Sequence, residues 1–224
     1  TVSGGIYNAI GGGGGAYSQV RNVPLTPGDI LPITIGSGGV GSPPNVSVPG
    51  QPGGKTFFNG TSCAAATTCA TGGCPGGTAY SGGSCIVQSG SPTGYGGQAS
   101  DGVGSTRYSG GFGSGLSSGG GAAGSSGNGG NASQLYACGA WNQDYCWTTD
   151  TGAGNGPYSG NGGLSGWANG SYYSGSPGSL YGGGGGAGAN NFWVNAPTYG
   201  GGNGAQGIIV ITYVPNATSC AITA

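Results

Sequence analysis

A chain that places glycine at 61 of 224 positions cannot build long helices or an ordinary side-chain core. Glycine has no Cβ to bury, and it loses the most conformational freedom on folding. Leu, Ile, Val and Phe together supply only 31 residues, about 14% of the chain and below the range of a typical packed domain. Such poverty would suggest disorder if it came with strong charge, but seven charged residues give a net charge of −1. What remains available is close approach of backbone to backbone. Glycine recurs at every third position in short runs: Gly121, Gly124, Gly127 and Gly130; Gly160, Gly163 and Gly166; Gly182, Gly185 and Gly188; Gly201, Gly204 and Gly207. Threefold spacing suits polyproline-II-like glycine helices, although the strict period of collagen is absent. At this glycine content several such runs also arise by chance, so irregular glycine loops on a small β scaffold are the competing reading.

Strand signals concentrate at the two ends. Pro24-Leu25-Thr26-Pro27-Gly28-Asp29 reads as a turn, and Ile33 and Ile35 of the following segment share one face. Ile208 to Val214 is the only sustained β-branched run. No window of ten residues carries apolar positions at helical spacing without a glycine or proline inside it. The expectation is an all-β fold with extensive glycine-rich loops and essentially no α-helix. It forms a single domain over 1–224, with a strand framework at about 17–40 and 205–215 and a loop region at about 41–204.

The glycine run 11–15 followed by Ala16-Tyr17-Ser18, the segment from Val23 through Asp29 into Ile33-Thr34-Ile35-Gly36-Ser37-Gly38-Gly39, and the stretch from Gly202 to Tyr213 together frame most of the chain. In these residues the chain resembles the glycine-rich domain family found in receptor-recognising adhesins at phage tail-fibre tips and in secreted bacterial surface proteins. The resemblance implies a β framework that projects glycine-rich loops, with binding in the loops and no catalysis.

The residue inventory agrees with that implication. The chain has no His, Glu or Met, and so lacks the usual general acids and bases and the imidazole of common zinc sites. No enzyme activity and no cofactor is expected. Arg21, Lys55 and Arg107 are the only cations, too few to neutralise phosphates, so nucleic acid is set aside as a partner. No P-loop pattern occurs, and the GxGxxG-like matches are what abundant glycine produces by accident. The longest apolar run, Ile208 to Ile211, is far too short to cross a bilayer, and membrane insertion is not expected. No signal peptide is visible, and the missing initiator Met fits a processed mature chain or a trimmed one.

Seven cysteines remain to be placed. Cys63, Cys69, Cys74 and Cys85 have no CxxC spacing and no histidine partner, which favours disulfides in an oxidising compartment over zinc. Cys138 and Cys146 suggest a further local pair, and Cys220 is a candidate free or intermolecular thiol. Candidate glycosylation sequons lie at Asn45, Asn59, Asn131, Asn169 and Asn216.

Aromatic residues crowd the glycine-rich second half. Tyr136, Trp141, Tyr145, Trp147, Trp167, Tyr172, Tyr173 and Trp193 are the candidate binding surface, with the large, stiff, amphipathic side chains that evolved binding loops use. The competing reading makes them the core. Low charge also removes the repulsion that keeps copies apart, so Ile208, Ile209, Val210, Ile211 and Tyr213 are candidates for an assembly strand. The first expectation for function is a non-enzymatic extracellular structural protein, the subunit of a self-assembling surface fibre or filament whose partners are copies of itself. The alternative is a receptor-binding adhesin at the tip of a phage tail fibre, gripping a surface glycan or outer-membrane protein. An ice-binding face would need a regular Thr repeat that the chain does not show.

Overall fold

Three consecutive residues at the centre of the molecule make six backbone hydrogen bonds to six different segments. Gly119, Gly120 and Gly121 donate to the carbonyls of Gly163, Gly12 and Gly130, each at 2.9 Å. Their own carbonyls accept from Gly152 at 3.0 Å and from Gly184 and Gly111 at 2.9 Å. The fourth donor, Ala122, returns to the segment met by the first, through Gly160 O at 2.9 Å. Three residues per turn is the screw of polyproline II, which has no internal hydrogen bonds and must find all its partners outside itself. Segment 11–16 repeats the rule. Gly11 and Gly14 donate to Ser114 and Gly111, Gly12 and Gly15 to Gly185 and Gly182, and Gly13 and Ala16 to Cys74 and Thr71. Each pair is three residues apart and runs antiparallel to its partner segment.

This computed structural model describes residues 10–45, 48, 50–76, 78–81, 84–87, 93–114, 118–133, 151–168, 171–188 and 199–213. The every-third glycines of the sequence are seams of the lattice. Gly201, Gly204 and Gly207 donate to Ser42, Gly39 and Gly36 at 3.0, 2.9 and 3.0 Å. Glycine is required where a Cβ would run into a neighbouring carbonyl: one at Gly14 would overlap the Gly121 carbonyl, and one at Gly162 the Gly119 carbonyl.

Short strands cap the lattice. They are β1 (Tyr17–Gln19), β2 (Ile33–Thr34), β3 (Thr56–Phe58), β4 (Thr68–Ala70), β5 (Thr78–Ser81), β6 (Ser84–Val87), β7 (Thr93–Gly94), β8 (Thr106–Tyr108), β9 (Gly113–Ser114), β10 (Trp167–Ala168) and β11 (Ser171–Tyr172). They pair as β1 with β8, β10 with β11, β2-β3-β4 and β6-β5-β7-β9. All pairings are antiparallel except β5 with β7. The fold is thus all-β, and the helical element among the described residues is one 3₁₀ turn, Ala99–Asp101.

Two expectations need correction. Most strands lie inside the stretch read as loops, because the lattice segments end in hairpins there. Ile208 to Tyr213 is not a ladder strand: the segment up to Gly207 donates one residue in three to 36–42, and the described residues beyond it join no sheet. The Pro24–Asp29 turn stands as read, with Gly28 at φ 97° and Asp29 N–H on Thr26 O at 3.0 Å.

The apolar core is correspondingly small. Among the described residues Phe58, Ala66, Cys69, Cys74, Ala122, Ala123, Ala132 and Ala187 are buried, and Phe58 is the one large member. Of the eight aromatic candidates only Tyr173 has a described side chain, and it is exposed.

Candidate functional site

Hydrogen bonding fixes which segment ends lie together. Gly11, Gly12 and Gly13 sit level with Ser114, Gly185 and Cys74, while Ala16 sits level with Thr71 and Gly15 with Gly182. The first group marks one end of the bundle. The described residues on either side of 42–50, 75–93, 115–117, 133–151, 165–174 and 188–199 lie at that end. The links at the opposite end are 17–35, 55–70, 98–109, 125–126, 156–159 and 180–181, together with the exit through Tyr213.

This division sorts the chemistry. All four tryptophans, Trp141, Trp147, Trp167 and Trp193, belong to links of the first end, which we call the loop end. Trp167 and Tyr172 stand opposite each other in the β10–β11 register. Tyr173 follows, exposed, with its N–H on Gly166 O at 2.6 Å. Tyr136, Trp141, Tyr145, Trp147 and Trp193 lie outside the described residues, as do Cys138, Cys146 and Cys220. The three cations Arg21, Lys55 and Arg107 belong to the opposite end, with Asp29 and Asp101; Asp144 and Asp150 fall in the loop-end link 133–151. No Lys or Arg falls in the loop-end stretches of the sequence.

Two disulfides anchor links to the lattice. Cys74–Cys85 ties β6 to segment 71–74 at the loop end, and Cys63–Cys69 closes a short link at the opposite end. Cys69 and Cys74 are each only 1% exposed. Cys74 also donates to Tyr95 O at 2.8 Å and accepts from Gly13 at 2.9 Å, so the bridge is built into the glycine network. Both disulfides fit an oxidising environment.

The remaining candidates scatter. Val210, Ile211 and Tyr213 are exposed at the opposite end, where Ile30, Ile33 and Ile35 are exposed too; Ile208 and Ile209 are half-buried. Of the sequons, Asn45 and Asn59 have left-handed backbones, Asn59 donates to Thr67 Oγ1 at 3.0 Å, and Asn131 is exposed. Asn169 and Asn216 lie outside the described residues.

Aromatic pairs that sequence reasoning missed are Tyr95 with Phe112, edge-on with centroids 5.1 Å apart, and Tyr17 with Tyr108, stacked at 6.1 Å across β1 and β8. Only knowledge of the strand pairing could have joined them. Burial pushes the Tyr17 phenol above its usual range; the Arg21 charge works against that and the Tyr108 side chain adds to it. Among the described residues no three His, Cys, Asp or Glu gather as metal ligands, and no helix is long and apolar enough to cross a membrane.

A family model described as a glycine-rich domain matches residues 2–214. No curated protein and no solved structure matches the chain.

Proposed function

The chain belongs to the glycine-rich domain family, and from the sorting of its links we propose that it is a non-enzymatic extracellular recognition domain, a rigid glycine bundle that presents aromatic loops at one end. The observation that carries this reading is that every tryptophan-bearing link starts and finishes at the same end of the lattice. A lattice with six backbone bonds around three residues is a stiff pedestal, and loops on a stiff pedestal lose less entropy on binding. Rings of Trp and Tyr beside Asn, Ser and Gly suit hydroxyl-rich, apolar-faced ligands such as sugar rings. The lack of cations at that end disfavours anionic ligands. A surface glycan or outer-membrane protein, met from the tip of a phage tail fibre or from a bacterial surface, is the target class.

Binding of the purified chain to a glycan array and to intact bacterial cells tests this. Trp141→Ala and Trp147→Ala should each weaken binding about tenfold or more, as anchor aromatics do, whereas Ile30→Ala at the opposite end should leave it unchanged. Binding to nothing, or equal loss from both ends, would overturn the reading.

A fibre subunit is the second reading. Exposed Ile30, Ile33, Val210, Ile211 and Tyr213, together with a net charge of −1, favour it. Electron microscopy with and without reductant separates the two: regular filaments support the fibre, and single particles that bind cells support the recognition domain.

A further inference from the structure

Every rim segment of a threefold lattice has a row of amides that points away from its neighbours. Segment 109–112 shows how this chain deals with such a row. Gly110 donates to Gly97 O and Gly111 to Gly121 O, both on adjacent segments. Ser109 and Phe112, three residues apart and so on one row, face the rim instead. Each donates at 2.9 Å to a side-chain carbonyl, Ser109 to Asn128 Oδ1 and Phe112 to Asn131 Oδ1. Asn128 and Asn131 are themselves three residues apart on the neighbouring segment, which runs parallel to 109–112 because Gly129 donates to Ser109 O and Ala132 to Phe112 O.

The device recurs. Gly154 donates to Asn161 Oδ1 and Gly41 to Asn203 Oδ1, both at 2.8 Å and both at exposed positions. Asn155 Nδ2 closes an acceptor in the same way, on Asn128 O at 2.9 Å. In each case the carboxamide makes a hydrogen bond of the kind that the peptide group of a further glycine segment would make.

We propose that Asn128, Asn131, Asn161 and Asn203 terminate the lattice: they close the outward amide rows and keep the glycine bundle of one chain from annealing side by side with a second copy. An open row of this kind is to a glycine lattice what an unpaired edge strand is to a sheet, a template for the next chain. Near-zero charge makes such a stop necessary, because repulsion does not supply one. The inference is independent of what the loops bind, and it limits any fibre of this chain to end-on contacts.

Sedimentation velocity on wild type and on the double variant Asn128→Ala/Asn131→Ala tests it. The variant should shift from the wild-type species to dimers and larger lateral assemblies, while Asn128→Asp/Asn131→Asp, which keeps the acceptors, should sediment as wild type does even in about 1 M salt, where the added charges are screened. Folding is checked by retained near-UV circular dichroism. Should the double variant fail to fold, Asn161→Ala and Asn203→Ala carry the same expectation on separate stretches of the rim. Folded alanine variants that sediment as wild type at every concentration would overturn the proposal, as would side-by-side pairs of wild-type bundles in electron micrographs.

Discussion

Two glycines two residues apart in segment 11–16 separate steric necessity from mere composition. A Cβ on Gly12 would meet Cys74 O at 3.5 Å and Gly185 N at 3.6 Å, which is ordinary contact. A Cβ on Gly14 would run into the Gly121 carbonyl, a backbone atom held by a hydrogen bond to Gly111 and unable to swing aside. Gly14→Ala should therefore cost about 1–3 kcal/mol or more, the usual scale of overpacking in a tight interior. Gly12→Ala should be close to neutral, and it gains a few tenths of a kcal/mol from the reduced freedom of the unfolded chain. Urea midpoints of the two variants measure this. Equal destabilisation by both would show that glycine is needed throughout segment 11–16 rather than at its contacts. Buried Ala122 and Ala123 already show that the lattice admits a methyl group where no carbonyl lies in its path.

At the scale of elements the disulfides substitute for the apolar core. With Phe58 as the one large buried side chain outside the bridges among the described residues, constraint of the unfolded chain becomes a major stabilising term. Sequence separations of 6 for Cys63–Cys69 and 11 for Cys74–Cys85 translate to about 2 and about 3 kcal/mol in the chain-entropy treatment. Replacing Cys74 and Cys85 together by Ala should lower the unfolding midpoint more than replacing Cys63 and Cys69. The reverse order, measured by thermal unfolding, would mean that strain or burial outweighs loop length. How far the sequence shows these elements depends on how local their causes are. Turn chemistry at Pro24–Asp29 is local and reads correctly, and the four clustered cysteines bond within their cluster. The glycine triplets are visible too, but polyproline II has no apolar face to mark it, and nothing in residues 11–16 says that Gly11 will meet Ser114 while Gly12 meets Gly185. Ile208 to Tyr213 misleads for the opposite reason: β-branched residues favour strands only where a ladder is on offer, and the neighbouring segment offers one bond in three.

For the whole molecule, the candidate site is legible as residue types and hidden as placement. The tryptophans are plain in the sequence, yet that the described flanks of every stretch holding one lie at the same end follows from antiparallel and parallel seams that only the fold reveals. Composition does determine one property of the whole directly, its response to pH. Stability changes with pH only where folded and unfolded chains bind different numbers of protons. The chain has no His and no Glu, and its four Asp residues titrate near about 4 in model peptides. Apart from any free thiol among Cys138, Cys146 and Cys220, which ionises at about 8.5, little is left to change between about pH 5 and 8. On the alkaline side, burial raises the Tyr17 phenol, so the folded state holds its proton after the unfolded state has begun to lose it. That stabilisation is complete below the unfolded tyrosine value of about 10 and is lost as pH climbs through the folded one. Denaturation midpoints should accordingly stay level from about pH 5 to 8 and fall above about 10, and Tyr17→Phe should reduce the alkaline fall. A slope inside the level window would point to a titrating group that the composition does not account for. An alkaline fall unchanged in Tyr17→Phe would place its origin elsewhere among the thirteen tyrosines.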